Sequence, residues 1–141
     1  MRSMRIAFGT DERTALTAGV VADLRAGGHD VTVVADGIDW PDAGRAVGEA
    51  VASGQADRGV VVCTTGTGVA IAANKVPGVR AALCTDAWTA TGARRWNDAN
   101  VLAFGLRLTT PTVAAEMLDA FLSTDVDDAE DALVARLERP R

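Results

Sequence analysis

The amino-acid sequence predicts one α/β domain built on a five-stranded parallel sheet. Short runs rich in β-branched residues alternate with stretches whose apolar residues recur at helical spacing. This alternation is typical of a parallel sheet with helices on both faces. The run "RGVVVC" (58–63) is apolar from its second residue onward, as expected of a strand that is buried on both faces. The length of 141 residues suits a single domain.

Each predicted strand is followed by a helix, which makes the chain a series of right-handed crossovers. The predicted strands cover 4–9, 30–35, 58–63, 79–84 and 100–105. The third and fourth helices are predicted over about 68–75 and 87–96, and a last helix follows the acidic patch 125–131. We expect the strands to lie in the sheet in the order 2-1-3-4-5.

Turn-forming and capping residues set the expected ends of the other helices. Thr10 or Asp11 is predicted to cap the first helix, which ends at the two glycines 27–28. Pro41 is placed well for the start of the second helix, and Thr110 with the proline after it begins the fifth.

A candidate site follows from this topology. Sites in doubly wound sheets form at the carboxyl ends of the strands, where the strand order reverses. Here that point lies between strands 1 and 3, so the loops "GTDER" and "CTTGTG" should face each other. Asp11 and Cys63 therefore belong to one predicted site.

The loop after strand 3 suggests anion binding beside a reactive thiol. Gly66 and Gly68 let the backbone approach a ligand, and the following helix start offers free N–H groups. The same environment favours the thiolate form of Cys63, and Thr65 supplies a hydroxyl for proton relay. Against this, a cysteine at a buried strand end is more often a small apolar side chain, and glycine-rich turns are common. Cys84 is interpreted as structural.

The stretch "RRWNDANVLAFG" (94–105) places three polar residues between a helix and a strand. Asn97, Asp98 and Asn100 could cap the helix or bind hydroxyl groups. From the residues alone, capping is the preferred interpretation.

Composition limits the classes of function. A net charge of −5 argues against a nucleic-acid partner. No run approaches the roughly 20 apolar residues of a membrane helix, and no signal peptide is recognised, so the cytoplasm is expected. Two cysteines and the single histidine, His29, give little support for a zinc site, and no metal or cofactor is predicted.

Several segments together resemble the ribose 5-phosphate isomerase type B family, which includes galactose 6-phosphate isomerase subunits. They are "RIAFGTD", "DWPDAG", "GVVVCTTGTGVAIAANK", "GVRAALCTD" and "NDANVLAFGLR", and they span nearly the whole chain. The resemblance implies a Rossmann-like three-layer fold in one domain, 1–141. It also implies metal-free aldose–ketose isomerisation of a sugar, in a homodimer or a dimer of dimers with active sites shared across the interface.

The resemblance also assigns roles to residues. Cys63 matches the thiolate that moves a proton between C1 and C2 through a cis-enediolate, and Thr65 matches the threonine that assists it. The other matched positions bind substrate: Gly66, Thr67 and Gly68 through backbone N–H groups, Asp11 at sugar hydroxyls, and Asn97 from the second subunit.

Departures from the family's pattern concern ring opening and phosphate binding. Trp96 stands where the family has a ring-opening histidine, and it could stack on an apolar sugar face or line the dimer interface. Glu12 replaces a histidine near the phosphate, and Glu130 and Val134 stand where two phosphate-binding arginines are usual. Arg107 alone remains of the basic set, unless Arg136, Arg139 or Arg141 reach the site in another register.

Three hypotheses follow. The first is an isomerase of this family whose substrate is changed to an acyclic or non-phosphorylated sugar. The second is a non-catalytic or partner-dependent subunit, because several family positions are lost. The third is a small-anion or nucleotide-binding module that uses the same loop.

Overall fold

The computed structural model describes residues 2–138 as a five-stranded parallel sheet between two layers of helices. The strands are β1 (Arg5–Thr10), β2 (Asp30–Asp36), β3 (Arg58–Cys63), β4 (Ala81–Leu83) and β5 (Val101–Gly105). The helices are α1 (Ala15–Ala26), α2 (Trp40–Ala52), α3 (Thr67–Asn74), α4 (Ala87–Asn97), α5 (Pro111–Ser123) and α6 (Asp131–Leu137), with a 3-10 turn at Asp128–Glu130. The predicted fold class is thus confirmed.

The strand order is β2-β1-β3-β5-β4, so the predicted order 2-1-3-4-5 was wrong at its last two positions. Burial explains the exchange. All five residues of β5 are buried, whereas β4 has only three residues, which are partly or largely exposed. A fully apolar strand removes the most apolar surface from water when it lies in the centre of the sheet. The short strand β4 therefore lies at the edge.

The open edge of β4 is partly closed by a side chain. The Asn74 amide nitrogen donates to the Ala81 carbonyl oxygen at 2.9 Å, and the Ala81 N–H donates to Asn74 Oδ1 at 2.8 Å. The amide thereby imitates one residue of a sixth strand and satisfies backbone groups that an edge leaves unpaired.

Residues of each strand alternate between two apolar cores. Phe8, Val62 and Phe104 face the core beneath α1, α4 and α5, while Val61 and Cys63 face the core beneath α2 and α3. This second core is built mostly of alanine and valine. Its small residues let the helices come close: a Cβ at Gly44 of α2 would lie 2.6 Å from the Ala72 Cβ of α3.

Helix α1 begins later than predicted, because Thr14 caps it and not Thr10 or Asp11. The Thr14 hydroxyl accepts from the Thr17 N–H at 3.2 Å, and Thr17 Oγ1 accepts from the Thr14 N–H at 2.9 Å. Thr10 is occupied in a turn, where its hydroxyl donates to the Glu12 carbonyl oxygen at 2.7 Å. The side chain of Asp11 is consequently left free of a capping role.

At the amino end of the sheet, charged side chains join α4 to the strands. Asp98 is the residue after the last turn of α4 and has a φ of 48°. Its carboxylate pairs with the guanidinium of Arg94 at 2.8 Å and with that of Arg80 at 3.3 Å. Asn100 Oδ1 accepts from the Arg80 N–H at 2.8 Å. Asp98 thus ends α4 and pairs with two arginine side chains, whereas the Asn100 side chain binds the Arg80 backbone; neither side chain caps the helix. Within residues 2–138, no helix is long and apolar enough to cross a bilayer.

Candidate active site

The loops that follow β1 and β3 lie side by side at the carboxyl edge of the sheet. The Asp11 N–H donates to the Val62 carbonyl oxygen at 3.3 Å, one residue before Cys63. The β1 and β3 strands are direct neighbours, and the strand order reverses between them. The structure therefore brings Asp11 to the glycine-rich loop, as the topology predicted.

Cys63 is buried at the end of β3, and its sulfur is turned toward the start of α3. The Gly66 N–H donates to Cys63 Sγ at 3.2 Å. A backbone donor therefore lies directly against the sulfur at the base of the loop, close to the amino end of α3.

Free backbone donors follow immediately. The first hydrogen bond of α3 runs from the Ala70 N–H to the Gly66 carbonyl oxygen, at 3.2 Å. Neither the Gly68 nor the Val69 N–H has a hydrogen-bond partner among the described residues. Two such donors at a helix start suit a negatively charged oxygen, including one that forms during a reaction.

The two threonines of the loop are bonded to each other. Thr65 Oγ1 and Thr67 Oγ1 lie 2.7 Å apart, and the Thr67 N–H donates to Thr65 Oγ1 at 3.4 Å. Both residues are exposed. The Thr65 hydroxyl thus helps to cap α3, and it remains accessible to a ligand.

The loop is held tightly against the end of β5. A Cβ at Gly105 would lie 2.6 Å from the Thr65 carbonyl carbon, and one at Gly66 would lie 2.6 Å from the Phe104 carbonyl carbon. Gly66 also has a φ of 78°, which glycine adopts without strain. Hydrogen bonds from the Leu106 N–H to the Cys63 carbonyl oxygen, at 3.0 Å, and from the Arg107 N–H to the Thr64 carbonyl oxygen, at 3.1 Å, fix the same junction.

Asp11 is the one carboxylate in residues 2–138 with a buried oxygen that lacks a partner, at Oδ1. Burial raises the pKa of this carboxyl, and the neighbouring charges of Glu12 and Asp39 raise it further. A desolvated, unsatisfied oxygen at a loop edge suits a ligand that brings a hydroxyl group.

Arg107 supplies positive charge at the same edge. It follows the β5 end that touches the loop, its side chain is exposed, and it forms no ion pair with the described residues. Arg13, which follows Asp11 by two residues, is instead paired with Asp36 at 3.1 Å.

Trp96 and Asn97 are not brought to Cys63 within one chain. They end α4 at the amino edge of the sheet, and α4 rises about 14 Å between Ala87 and Trp96. Trp96 lies edge-on to Trp88 with the ring centroids 5.7 Å apart, and its indole covers Gly92. These side chains line an open cavity of about 730 Å³ beside the β4 edge, together with Asn97 and Cys84.

The two positions that were expected to hold phosphate-binding arginines also lie near the carboxyl end of α4. Glu130 and Val134 belong to the segment around α6, which contacts the end of α4 through the Asp127 N–H and the Arg95 carbonyl oxygen at 2.9 Å. Arg136 is exposed on α6. Arg139 and Arg141 lie outside the described residues.

Cys84 differs from Cys63 in chemistry. It is buried, and burial, with the nearby charge of Asp86, raises the pKa of its thiol to about 11. Such a thiol stays protonated near neutral pH, in line with a structural role. Residues 2–138 hold no group of three or more His, Cys, Asp or Glu side chains arranged for metal binding.

Sequence reasoning did not single out two residues that contact this site. Gly105 packs on the Thr65 backbone, and Trp40 packs on Gly68. The available signals were the position of Gly105 at the carboxyl end of a strand and the position of Trp40 before a proline that starts a helix.

The fold and this site define a Rossmann-like α/β protein with a glycine-rich loop and free backbone N–H groups beside a buried cysteine. A model of the family described as Ribose/Galactose Isomerase matches residues 6–138. The ribose-5-phosphate isomerase B of Escherichia coli is 38% identical over 128 residues, which cover 87% of this chain and 86% of that protein. The chain therefore belongs to the Ribose/Galactose Isomerase family, as its motifs predicted.

Two further comparisons show how the match varies. The structure of Clostridium thermocellum ribose-5-phosphate isomerase B superposes with a TM-score of 0.89 at 37% identity, covering 96% of this chain and 95% of that one. The D-erythrulose-4-phosphate isomerase of Pectobacterium atrosepticum is 40% identical over 88 residues, which cover 62% of this chain and 58% of that protein. The aligned segment thus spans less than two thirds of that relative.

Proposed function

We propose that the chain is an aldose–ketose isomerase in which Cys63 is the base. The thiolate takes the proton from the carbon next to the substrate carbonyl, which leaves a cis-enediolate. The same proton, or one exchanged with solvent, returns to the neighbouring carbon, and the carbonyl has then moved between C1 and C2. The observation that carries this proposal is the buried Sγ, 3.2 Å from the Gly66 nitrogen and beside two free N–H donors.

The other loop residues would stabilise the intermediate. The resemblance assigns the enediolate oxygen to the backbone N–H groups of Gly66, Thr67 and Gly68. Because the Gly66 and Thr67 N–H groups are bonded within the loop, the Gly68 N–H, with that of Val69 beside it, would hold this oxygen. Thr65 would exchange protons between the substrate hydroxyls. The unsatisfied Asp11 Oδ1 would accept a hydrogen bond from a hydroxyl further along the sugar.

The substrate is proposed to be acyclic in solution. The indole N–H of Trp96 can donate a hydrogen bond but is far too weak an acid to protonate a ring oxygen, so Trp96 cannot replace a ring-opening histidine. A four-carbon aldose 4-phosphate cannot close a furanose ring because its terminal oxygen is esterified, and a four-carbon 2-ketose has no hydroxyl group far enough from C2 to close a five-membered ring. The Pectobacterium relative bears the name of an isomerase for such a substrate, D-erythrulose 4-phosphate, which supports the proposal.

Phosphate binding is proposed to be weaker than in the relatives. A phosphate dianion needs charged hydrogen bonds to replace its lost water, and Arg107 alone supplies few. We therefore propose a non-phosphorylated sugar of similar length as the alternative substrate.

A homodimer, or a dimer of dimers, is proposed to complete the site with Trp96 and Asn97 of a second copy. In one chain these residues lie at the opposite end of α4 from Cys63. Apolar side chains remain exposed on the same side of the molecule, around the cavity: Leu83, Trp88 and Trp96. We also keep the expectation of a cytoplasmic location, without a nucleic-acid or membrane partner.

The second candidate is an isomerase-like subunit that needs a paralogue for activity. It is favoured by the replacement of basic or acid–base positions by Glu12, Trp96 and Glu130. Such a subunit would bind substrate weakly by itself and would gain turnover only when mixed with its partner.

A substrate screen in deuterium oxide tests the proposed function. Erythrulose 4-phosphate, ribose 5-phosphate and free four- and five-carbon sugars are incubated with the chain, and NMR follows deuterium entry at C1 or C2. We expect exchange with an acyclic substrate and much weaker activity on ribose 5-phosphate. Efficient turnover of ribose 5-phosphate would contradict the substrate proposal, and no exchange with any sugar would favour the second candidate.

A further inference from the structure

Trp40 is a large aromatic side chain held at the edge of the candidate site. It is the first residue of α2, and Pro41 fixes the backbone there. The indole is 46% exposed, although the first turn of α2 packs against α3. A half-exposed tryptophan leaves much apolar surface in water, which is unfavourable unless something covers it.

The indole lies against the residue that carries a free anion-binding donor. A Cβ at Gly68 would lie 2.9 Å from Trp40 Cε3 and 3.0 Å from Cδ2, so the indole occupies the space that a side chain at position 68 would need. The Gly68 N–H has no partner in the described part of the chain. Glycine at 68 is thus required for the ring to reach this position.

The segment that carries Trp40 also borders the other site loop. It follows β2, the neighbour of β1, and the Gly37 N–H donates to the Thr10 carbonyl oxygen at 3.0 Å. The charge of the adjacent Asp39 contributes to the raised pKa of Asp11, after burial and Glu12. The segment that leads to Trp40 is therefore close to the Asp11 loop, while the indole itself contacts Gly68.

We propose that Trp40 is a substrate-contacting residue, whose indole forms the apolar wall of the site between the Gly68 N–H and the Asp11 loop. This inference rests on the proposed function and adds a specificity-determining residue to it. The ring would pack on the carbon chain of the bound sugar and keep water from the Gly68 N–H, where the enediolate oxygen is held. Hydrogen bonds to that oxygen are stronger when water is excluded.

Binding of an intermediate analogue tests the wall without requiring turnover. The probe is 3-phosphoglycerohydroxamate, whose planar hydroxamate resembles the enediolate and whose length is that of a four-carbon sugar phosphate. Calorimetry compares the wild type with Trp40→Ala, Trp40→Phe and Leu133→Ala, which removes an exposed apolar side chain on α6. We expect about tenfold or greater loss of affinity for Trp40→Ala, since an aromatic contact is lost, and partial rescue in Trp40→Phe.

A second readout reports contact directly. With 5-fluorotryptophan incorporated, the fluorine resonance of Trp40 is assigned from its absence in Trp40→Phe and is followed during titration with the probe. We expect this resonance to shift. An unmoved resonance with unchanged affinity in Trp40→Ala, while the wild type binds the probe, overturns this inference alone. Failure of the wild type to bind the probe overturns the inference together with the proposed substrate.

Discussion

Gly105→Ala is expected to damage the site through a single added methyl group. The new Cβ would lie 2.6 Å from the Thr65 carbonyl carbon, 2.7 Å from its oxygen and 2.9 Å from its Cα. Ordinary van der Waals contact begins at 3.4 Å, so the Thr65 backbone must move by about 0.8 Å. Because the neighbours are backbone atoms on a loop tied to β5, no side-chain rotation relieves this contact.

The shift would displace Thr65 and the donors that follow it. A misplacement of about 1 Å in a catalytic arrangement costs about 10²-fold in rate, and we expect a loss of this size in kcat. Overpacking should also lower the free energy of unfolding by about 1–3 kcal/mol. The assay is isomerisation of the best substrate of the screen, with urea denaturation measured in parallel.

Gly19→Ala is the matched control, since a Cβ there meets no atom within 4 Å. Gly19 lies inside α1, so the substitution should stabilise the protein by about 0.5–1 kcal/mol and leave kcat unchanged. If Gly105→Ala were destabilised yet kept the wild-type kcat, the contact between β5 and the loop would not position the catalytic groups, and the reasoning would be wrong.

Three further predictions concern individual side chains. Cys63→Ser should lower turnover by about 10²–10⁴-fold with the fold intact, and iodoacetamide should label Cys63 faster than Cys84, whose pKa is about 11; equal labelling rates with retained activity would reject the role of Cys63. Folding raises the pKa of Asp11, so the protonated carboxyl contributes to the stability of the folded state. This contribution is full below about pH 3.8, the ordinary pKa of the group, and is lost as pH rises through the raised pKa of the folded protein. Asp11→Asn should therefore raise the free energy of unfolding at pH 7, and urea titrations at lower pH should show this gain disappearing. Trp96→His should increase activity on ribose 5-phosphate relative to an acyclic substrate, and an unchanged ratio in kcat/KM would show that Trp96 does not limit ring opening.

The helices and strands could be predicted well because their signals are local. Apolar spacing and the residues that end helices placed β3 at Arg58–Cys63 and the start of α5 after Thr110, as observed. The predicted cap of the first helix was wrong because the local sequence offers Thr10 and Thr14 as equally good capping residues. The Thr10 hydroxyl binds Glu12 in a turn, and Thr14 caps the helix with Thr17.

The candidate site could be predicted in part, for the same reason. Cys63 and Gly66 share one loop, so their proximity follows from the chain itself. Asp11 required only the adjacency of β1 and β3, which the topology rule supplies. The contacts of Gly105 and Trp40 join residues about 30 or more positions apart in sequence, and no local pattern reports them.

The sequence by itself therefore determined the order of elements, the parallel sheet and the loop that holds Cys63. Only the tertiary structure decided that β5 lies between β3 and β4, that Asp98 bridges two arginines, and that Asn97 is remote from Cys63 within one chain. The reason is physical. Periodicity and capping depend on neighbours within a few residues, whereas the neighbour of a strand is chosen by the total apolar surface that each arrangement buries.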